Sequence, residues 1–361
     1  IGGIGMCGLA ELLHNMGAQV SGSDLSENQN TERLSTLGLK IFRGHRAENV
    51  GNVDVVVYSS AVKDSNPEVQ AARGRKIPLI PRAEALAEIM LLKRGIAVAG
   101  THGKTTTTSM TSAIFLEAES NPTIVIGGRF EKIQSTALLG TGEWLIAEAD
   151  ESDGSFHKLS PEIAIITNID SDHLDHFKTF ENLQSSFLNF ALKIPFYGVS
   201  VVCGDDPIIK DLFQDFPKRI QYYGFNEMNE FVLKGEKGHY QIYHNASTGR
   251  KLLGEFDIRL PGKHNALNAT AAILVGLHCG FSFDVCKNAI AHFEGVDRRF
   301  QFKGEVNDIR VYDDYGHHPT EVKATLQAFR EKFPNQKIIV MFQPHRYSRT
   351  ESCWFDFTQS F

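Results

Sequence analysis

The sequence predicts an α/β protein built from three successive nucleotide-type units. Three observations predict it. Short apolar strands alternate with helical stretches along most of the chain, the pattern of a parallel sheet covered on both faces. Glycine-rich turns stand at two strand-to-helix junctions, around residues 3–8 and 100–106. Two further strands, Trp144–Ala147 and Ile163–Thr167, run straight into acids and histidines. In such sheets the carboxyl ends of the strands share one edge, where ligands bind.

Composition bounds the function. The chain has 361 residues, 42% hydrophobic and 22% charged, as in ordinary globular proteins. A net charge of −6 without a basic block argues against nucleic acid as a partner. No apolar run reaches membrane-spanning length, so no membrane insertion is expected. The five cysteines are scattered, without disulfide or metal-ligand spacing, and read as those of a cytoplasmic protein. Both termini read as cut: Ile1 opens inside a glycine-rich turn, and Phe361 falls inside an unfinished helical pattern. The chain as it stands is expected to be weakly active or inactive.

Residues 1–93 carry strands at Gln19–Gly22, Leu39–Phe42, Val53–Tyr58 and Pro78–Ile80. Their opening holds Gly3-x-Gly5-x-x-Gly8, a helix to about Asn15, and Asp24 at the end of the next strand. That is a dinucleotide fingerprint: a tight turn, close approach to a diphosphate, and an acid for a ribose hydroxyl. It fits an NAD-dependent dehydrogenase, but a UDP-sugar offers the same groups. His45 is either a further phosphate donor or a plain surface residue.

Residues 94–296 hold the most informative stretch, Ala-Val-Ala-Gly100-Thr101-His102-Gly103-Lys104-Thr105-Thr106. Glycines let backbone N–H groups close around anionic oxygens. The loop opens a helix (Lys104 to about Glu117) whose N-terminus favours negative charge. Lys104 would reach the β/γ-phosphates of ATP, and the Thr105 hydroxyl would hold Mg²⁺. Glu148 and His173, at the ends of the two acid-bearing strands, should project toward the same phosphates and suit a divalent metal. Most of the neighbouring acids, Asp150, Glu151, Asp153, Asp170 and Asp175, read as solvated or capping residues. Residues 219–259 read as antiparallel decoration. Asn265 and Asn268 lie three apart at a helix N-terminus and suit contacts to adenine or phosphate.

Residues 297–361 begin with Arg298-Arg299-Phe300 and a strand at Arg310–Tyr312. A helix is expected at Thr320–Phe333, with Thr320 as its N-cap, then a strand at Lys337–Phe342. Arg346 and Arg349 follow in a loop and fit a carboxylate, which a guanidinium grips bidentately.

Taken together and in order, Gly100–Thr106, Glu148–Phe156, Asp172-His173, His264-Asn265-x-x-Asn268, Arg298-Arg299-Phe300, Asp313–Glu321 and Gln343–Thr350 resemble the Mur ligase family over essentially the whole chain. The resemblance implies a three-domain architecture. A Rossmann-like UDP-binding domain comes first, then a central P-loop ATPase-type domain, then a Rossmann-like C-terminal domain, here incomplete. It implies ATP- and Mg²⁺-dependent amide formation in peptidoglycan precursor synthesis, through an acyl phosphate. The wording of the motifs favours the branch that joins L-alanine to UDP-N-acetylmuramate; the alternative is the branch that recycles murein tripeptide. The resemblance also implies roles. Gly100–Thr106, Asn265, Asn268, Arg299 and Asp314 would bind ATP. Thr105 and Glu148 would hold one Mg²⁺, and His173 would help with a second. Gly3, Gly5, Gly8, Asp24, His45, Ser59 and Ser60 would bind the UDP-sugar. Tyr315, His317, Arg346 and Arg349 would form the amino-acid pocket, with His173 or His317 as the base for the amine.

Overall fold

The computed structural model describes residues 1–361. The first segment runs α1 (Ile4–Asn15), β1 (Ser21–Asp24), α2 (Gln29–Thr36), β2 (Lys40–Arg43), β3 (Val56–Tyr58), α3 (Pro67–Gly74), β4 (Leu79–Pro81) and α4 (Arg82–Met90). β1 pairs with β2 and β3 with β4, both in parallel, but as two separate sheets. One continuous sheet was the expectation. α1 starts at Ile4, so Gly5 and Gly8 lie within the helix and not in the turn before it.

The central segment contains β5 (Arg94–Ala99), α5 (Lys104–Glu117), β6 (Thr123–Phe130), β7 (Ser135–Leu138), β8 (Trp144–Glu148), β9 (Ile163–Ile166), α6 (Leu174–Phe177) and α7 (Phe180–Ala191). It continues through β10 (Val199–Cys203), α8 (Pro207–Leu212), β11 (Ile220–Gly224), β12 (Phe231–Glu236), β13 (His239–Ala246), β14 (Gly249–Asp257), α9 (Lys263–His278) and α10 (Phe283–Ala291). All ten strands join one sheet in the order β14-β13-β12-β11-β10-β9-β5-β8-β6-β7. β5 is buried from Gly95 to Ala99, as an unbroken apolar run in a parallel sheet requires. The stretch read as antiparallel decoration is continuous with this sheet: β12 lies parallel to β11, and within the stretch β12–β13–β14 are antiparallel as expected.

α5 is unusual in burying a row of hydroxyls. Thr108, Ser109, Thr111 and Ser112 donate to the carbonyls of Lys104, Thr105, Thr107 and Thr108, at 2.7–2.8 Å. These four side chains are thus satisfied within their own helix, whereas the buried Thr107 Oγ1 has no partner; the helix sits against α9 and the sheet. The main core joins 62 buried residues, from Leu9 and Leu12 of α1 to Val296. The first segment therefore shares its core with the central one. Gly8 shows how closely they meet: a Cβ there would lie 2.7 Å from Thr136 Oγ1 on β7.

The third segment holds the antiparallel pair β15 (Gln301–Val306) and β16 (Ile309–Asp313), then α11 (Pro319–Lys332), α12 (Tyr347–Ser352) and α13 (Trp354–Thr358). Two expectations fail here. The N-cap of α11 is His318, not Thr320; its side chain accepts the Thr320 N–H while Glu321 completes a capping box. Lys337–Phe342 forms no strand. An extended run needs a neighbour to complete its backbone bonds, and this one has none, so Ile339 and Met341 face solvent.

Candidate active site

The phosphate loop joins β5 to α5. Gly100 has φ +134°, and a Cβ there would collide with the Thr167 hydroxyl. Gly103 has φ +81° and caps α5; a Cβ would lie 2.8 Å from Asn268 Oδ1. Side-chain-bearing residues are strained in this conformation. The end of β9 shapes the loop. Asn168 Oδ1 accepts the His102 N–H at 2.8 Å, and Asn168 Nδ2 and Thr167 Oγ1 donate to the His102 carbonyl at 2.9 and 2.6 Å. Neither Thr167 nor Asn168 was read as a site residue. Their place at a strand's carboxyl end was the available signal.

Lys104 Nζ donates to the carbonyls of Gly100 and Thr101 and, at 2.8 Å, to Glu151 Oε1. Burial works against its charge, but Glu151, Asp150 and Glu148 hold its pKa above the usual lysine value. Glu151 is fully buried; burial, against the pull of Lys104, pushes its carboxyl up to about 7. Reading Glu151 as one of several solvated acids is thus corrected. Thr105 Oγ1 donates to Glu148 Oε1 at 3.2 Å, and the Gly127 N–H donates to Glu148 Oε2 at 2.9 Å. His173 has φ +58°, with Nε2 3.6 Å from Glu151 Oε1. Its Nδ1 is buried without a partner. Burial, with Lys104 and Arg349 adding to it against Asp172, lowers its pKa to about 4, so the ring is neutral.

A cavity of about 280 Å³ opens beside this loop. His102, Gly103, Thr106, Asn265, Asn268, Arg299 and Asp314, all expected at ATP, line it. Asn265 Nδ2 donates to the Pro261 carbonyl at 2.7 Å. Arg299 sits 3.5 Å from Glu321, and Asp314 accepts the N–H groups of Phe300 and Gly316. Thr101 is close by, its hydroxyl exchanging bonds with the Asp170 backbone.

The third segment closes on the loop after β9. Arg349 is buried and bidentate on Asp172, at 3.1 and 2.9 Å. Arg346 approaches Asp175 at 3.8 Å and stays half-exposed. His317 Nδ1 donates to the Tyr315 carbonyl at 2.8 Å, and the two rings are 5.0 Å apart. Burial first, with Arg349 and Arg299 adding, lowers the His317 pKa despite Glu321.

In the first segment Asp24 accepts the Gly2 N–H at 2.8 Å, so it braces the glycine turn. Gly3 precedes α1. A Cβ at Gly5 would lie 3.2 Å from the Arg82 guanidinium, and Arg82 also reaches Asp150 at 3.9 Å. Arg82 thus links the first turn of α1 to the acid-rich loop, a role the sequence did not suggest. His45 Nδ1 pairs with the Ser23 hydroxyl at 2.9 Å, and Glu68 lies 3.4 Å away. Ser59 accepts the Ala61 N–H in an exposed turn shared with Ser60.

Comparisons agree with this geometry. The model described as "Mur ligase family, catalytic domain" matches residues 1–94, "Mur ligase middle domain" 98–276, and "Mur ligase, glutamate ligase domain" 298–359. The UDP-N-acetylmuramate–L-alanine ligase of Bdellovibrio bacteriovorus is 70% identical, covering 100% of this chain and 80% of that protein. The ligase of the same name from Geobacter sp. is 51% identical, covering 100% and 78%. Among solved structures, UDP-N-acetylmuramate–alanine ligase from Thermotoga maritima superposes with a TM-score of 0.85 at 31% identity, over 100% of this chain and 81% of that one. A murein peptide ligase from Psychrobacter arcticus gives 0.80 at 25%, over 96% and 78%. With a phosphate loop, its acids and the closing arginines arranged in this order, the chain belongs to the Mur ligase family.

Proposed function

We propose that this protein is the ATP-dependent ligase that joins L-alanine to the lactoyl carboxylate of UDP-N-acetylmuramate in peptidoglycan precursor synthesis. The carrying observation is full-length 70% identity to a ligase of that name, in a chain whose Lys104 is set among Glu148, Glu151 and His173. The murein-recycling and dehydrogenase readings have no comparable support. Residues 1–93 would hold the UDP-sugar through Gly3, Gly5, Gly8, Asp24, His45, Ser59 and Ser60, with Arg82 added beside Gly5. Residues 94–296 would hold ATP, and residues 297–361 L-alanine. The reading assigns the reaction to the cytoplasm, in keeping with five free cysteines. No helix is long and apolar enough to cross a membrane.

A carboxylate does not accept an amine directly. The γ-phosphoryl group first passes to the lactoyl carboxylate, and the amine of alanine then attacks the acyl phosphate. Phosphate leaves and an amide remains. Lys104 and the loop N–H groups meet the charge on the phosphates, which is most of what a protein does for phosphoryl transfer. The Thr105 hydroxyl and the Glu148 carboxylate, 3.2 Å apart, are oxygen donors that fit Mg²⁺, and the partnerless His173 Nδ1 fits a second ion. Mg²⁺ when bound supplies neutralisation of phosphate charge. Asn265 and Asn268 orient the nucleotide from α9, and Arg299 and Asp314 from the third segment. Arg346, half-exposed, would receive the alanine carboxylate beside Tyr315, and Arg349 would join it by exchanging the Asp172 carboxylate for that of the substrate. His317 Nδ1 is engaged with the Tyr315 carbonyl, so Nε2 is left as acceptor and can take the amine proton. Closure of the third segment keeps water from the acyl phosphate.

The test is phosphate release with ATP, UDP-N-acetylmuramate and each of alanine, glycine, serine and the murein tripeptide. Release that is strongest with L-alanine supports the reading. Release that follows the tripeptide and ignores alanine overturns it.

A further inference from the structure

Beside the phosphate loop three side chains from distant parts of the chain converge. His102 belongs to the loop itself, Asp170 to the loop after β9, and His318 to the cap of α11. His102 Nε2 lies 3.0 Å from Asp170 Oδ2, and His318 Nδ1 lies 3.5 Å from that same oxygen. The three donor atoms all fall within 4.8 Å of one another, and the imidazole centroids are 4.9 Å apart. In a tetrahedral zinc site, with bonds of about 2.0–2.1 Å, neighbouring donors stand ~3.3 Å apart. The two shorter observed edges fall on either side of that value.

Two further features prepare these donors. His102 Nδ1 faces Glu321 Oε1 at 3.4 Å, and a carboxylate on the far ring nitrogen is what metal-binding histidines commonly keep. His318 Nδ1 accepts the Thr320 N–H at 3.4 Å, which assigns a lone pair to that nitrogen. That nitrogen has one in-plane lone pair, so an ion beside Asp170 Oδ2, 3.5 Å away, takes it in exchange for the long cap bond from Thr320. Asp170 Oδ2 also accepts the Thr320 hydroxyl at 2.6 Å, which fixes the carboxylate.

We propose that His102, Asp170 and His318 form a binding site for a borderline divalent transition ion such as Zn²⁺, separate from the Thr105–Glu148 magnesium position. Two imidazoles and one carboxylate suit such ions and not Mg²⁺. The ion takes the position of the proton that otherwise bridges His102 and Asp170. Asp170 keeps 32% of its side chain exposed, which leaves an approach for the ion and room for water as a fourth ligand. Loading ties the phosphate loop to the first turn of α11.

The experiment is a Co²⁺ titration of chelator-treated protein, without nucleotide, followed in the visible. One equivalent binds with the d–d bands of four-coordinate Co²⁺ and no thiolate charge-transfer band. Zn²⁺ displaces it and excess Mg²⁺ does not. His318→Ala and Asp170→Asn each weaken binding at least about tenfold, whereas Glu148→Gln, His173→Ala and Cys353→Ser, whose thiol lies 3.8 Å from His318 Nε2, leave it unchanged. His318 also caps α11, so Glu321→Gln is measured as well. It keeps all three donors and weakens binding about tenfold. Absence of a one-equivalent site overturns the proposal. So does binding that ignores His318, Asp170 and Glu321, or that is lost with Glu148→Gln, His173→Ala or Cys353→Ser.

Discussion

Lys104 Nζ rests 2.8 Å from Glu151 Oε1, and Glu151 has no exposed surface. The lysine proposed to meet phosphate is thus already held by an anion inside the protein. Removing one partner of a buried pair leaves an uncompensated charge, which costs about 3–5 kcal/mol. Glu151→Ala is expected to lower the unfolding free energy by about that amount in denaturant titrations. Lys104→Ala is expected to reduce phosphate release at least ~100-fold. Unchanged stability in Glu151→Ala would show that the pair does not form.

Gly103→Ala tests the shape of the cradle. A Cβ at φ +81°, 2.8 Å from Asn268 Oδ1, carries a strain of about 1–2 kcal/mol and displaces Asn268. ATP affinity should fall by roughly tenfold while UDP-sugar affinity stays the same. Calorimetry with each nucleotide checks this; equal losses for both would point to general unfolding.

Arg349 on Asp172 ties the third segment to the loop that carries His173. Arg349→Lys keeps the charge but loses the bidentate fork. The expected result is a rise of roughly tenfold or more in the KM for L-alanine with the KM for ATP within twofold. A KM for ATP that rises as far would place Arg349 at the nucleotide instead.

The His102 imidazole is subject to burial, which lowers its pKa, but the hydrogen bonds it donates to the Asp170 and Glu321 carboxylates outweigh this and raise it from 6.5 to about 9. The folded protein therefore binds this proton more tightly than the unfolded chain does. The stabilisation is complete below 6.5 and is lost as the pH rises through about 9. In metal-free buffer, unfolding free energy should decline across that window with a slope of at most ~1.4 kcal/mol per pH unit. His102→Asn should flatten it. The same slope in both proteins would contradict the assignment.

The local geometry of the glycine loop and its helix was legible because local chemistry dictates it. Glycines needed for positive φ, a lysine, a hydroxyl and an ensuing helix leave few alternatives, and α5 spans Lys104–Glu117 as read. What was illegible depends on contacts made far along the chain. Glu151 stands among acids of the same type, and only the folding of its loop against Lys104 buries it. Thr320 looks like an N-cap, yet its hydroxyl is engaged by Asp170, 150 residues away in sequence, and an imidazole takes the cap. Lys337–Phe342 has a strand's composition, but composition does not supply a partner. β12 went unread because only its first half is buried, and its place was set by β11.

The most direct measurement follows oxygen. UDP-N-acetylmuramate labelled with oxygen-18 in its lactoyl carboxylate is incubated with ATP, L-alanine and the protein, and the released phosphate is examined by mass. Activation through an acyl phosphate predicts transfer of one labelled oxygen to phosphate, dependent on Lys104. Phosphate that emerges unlabelled while the amide product accumulates would contradict it.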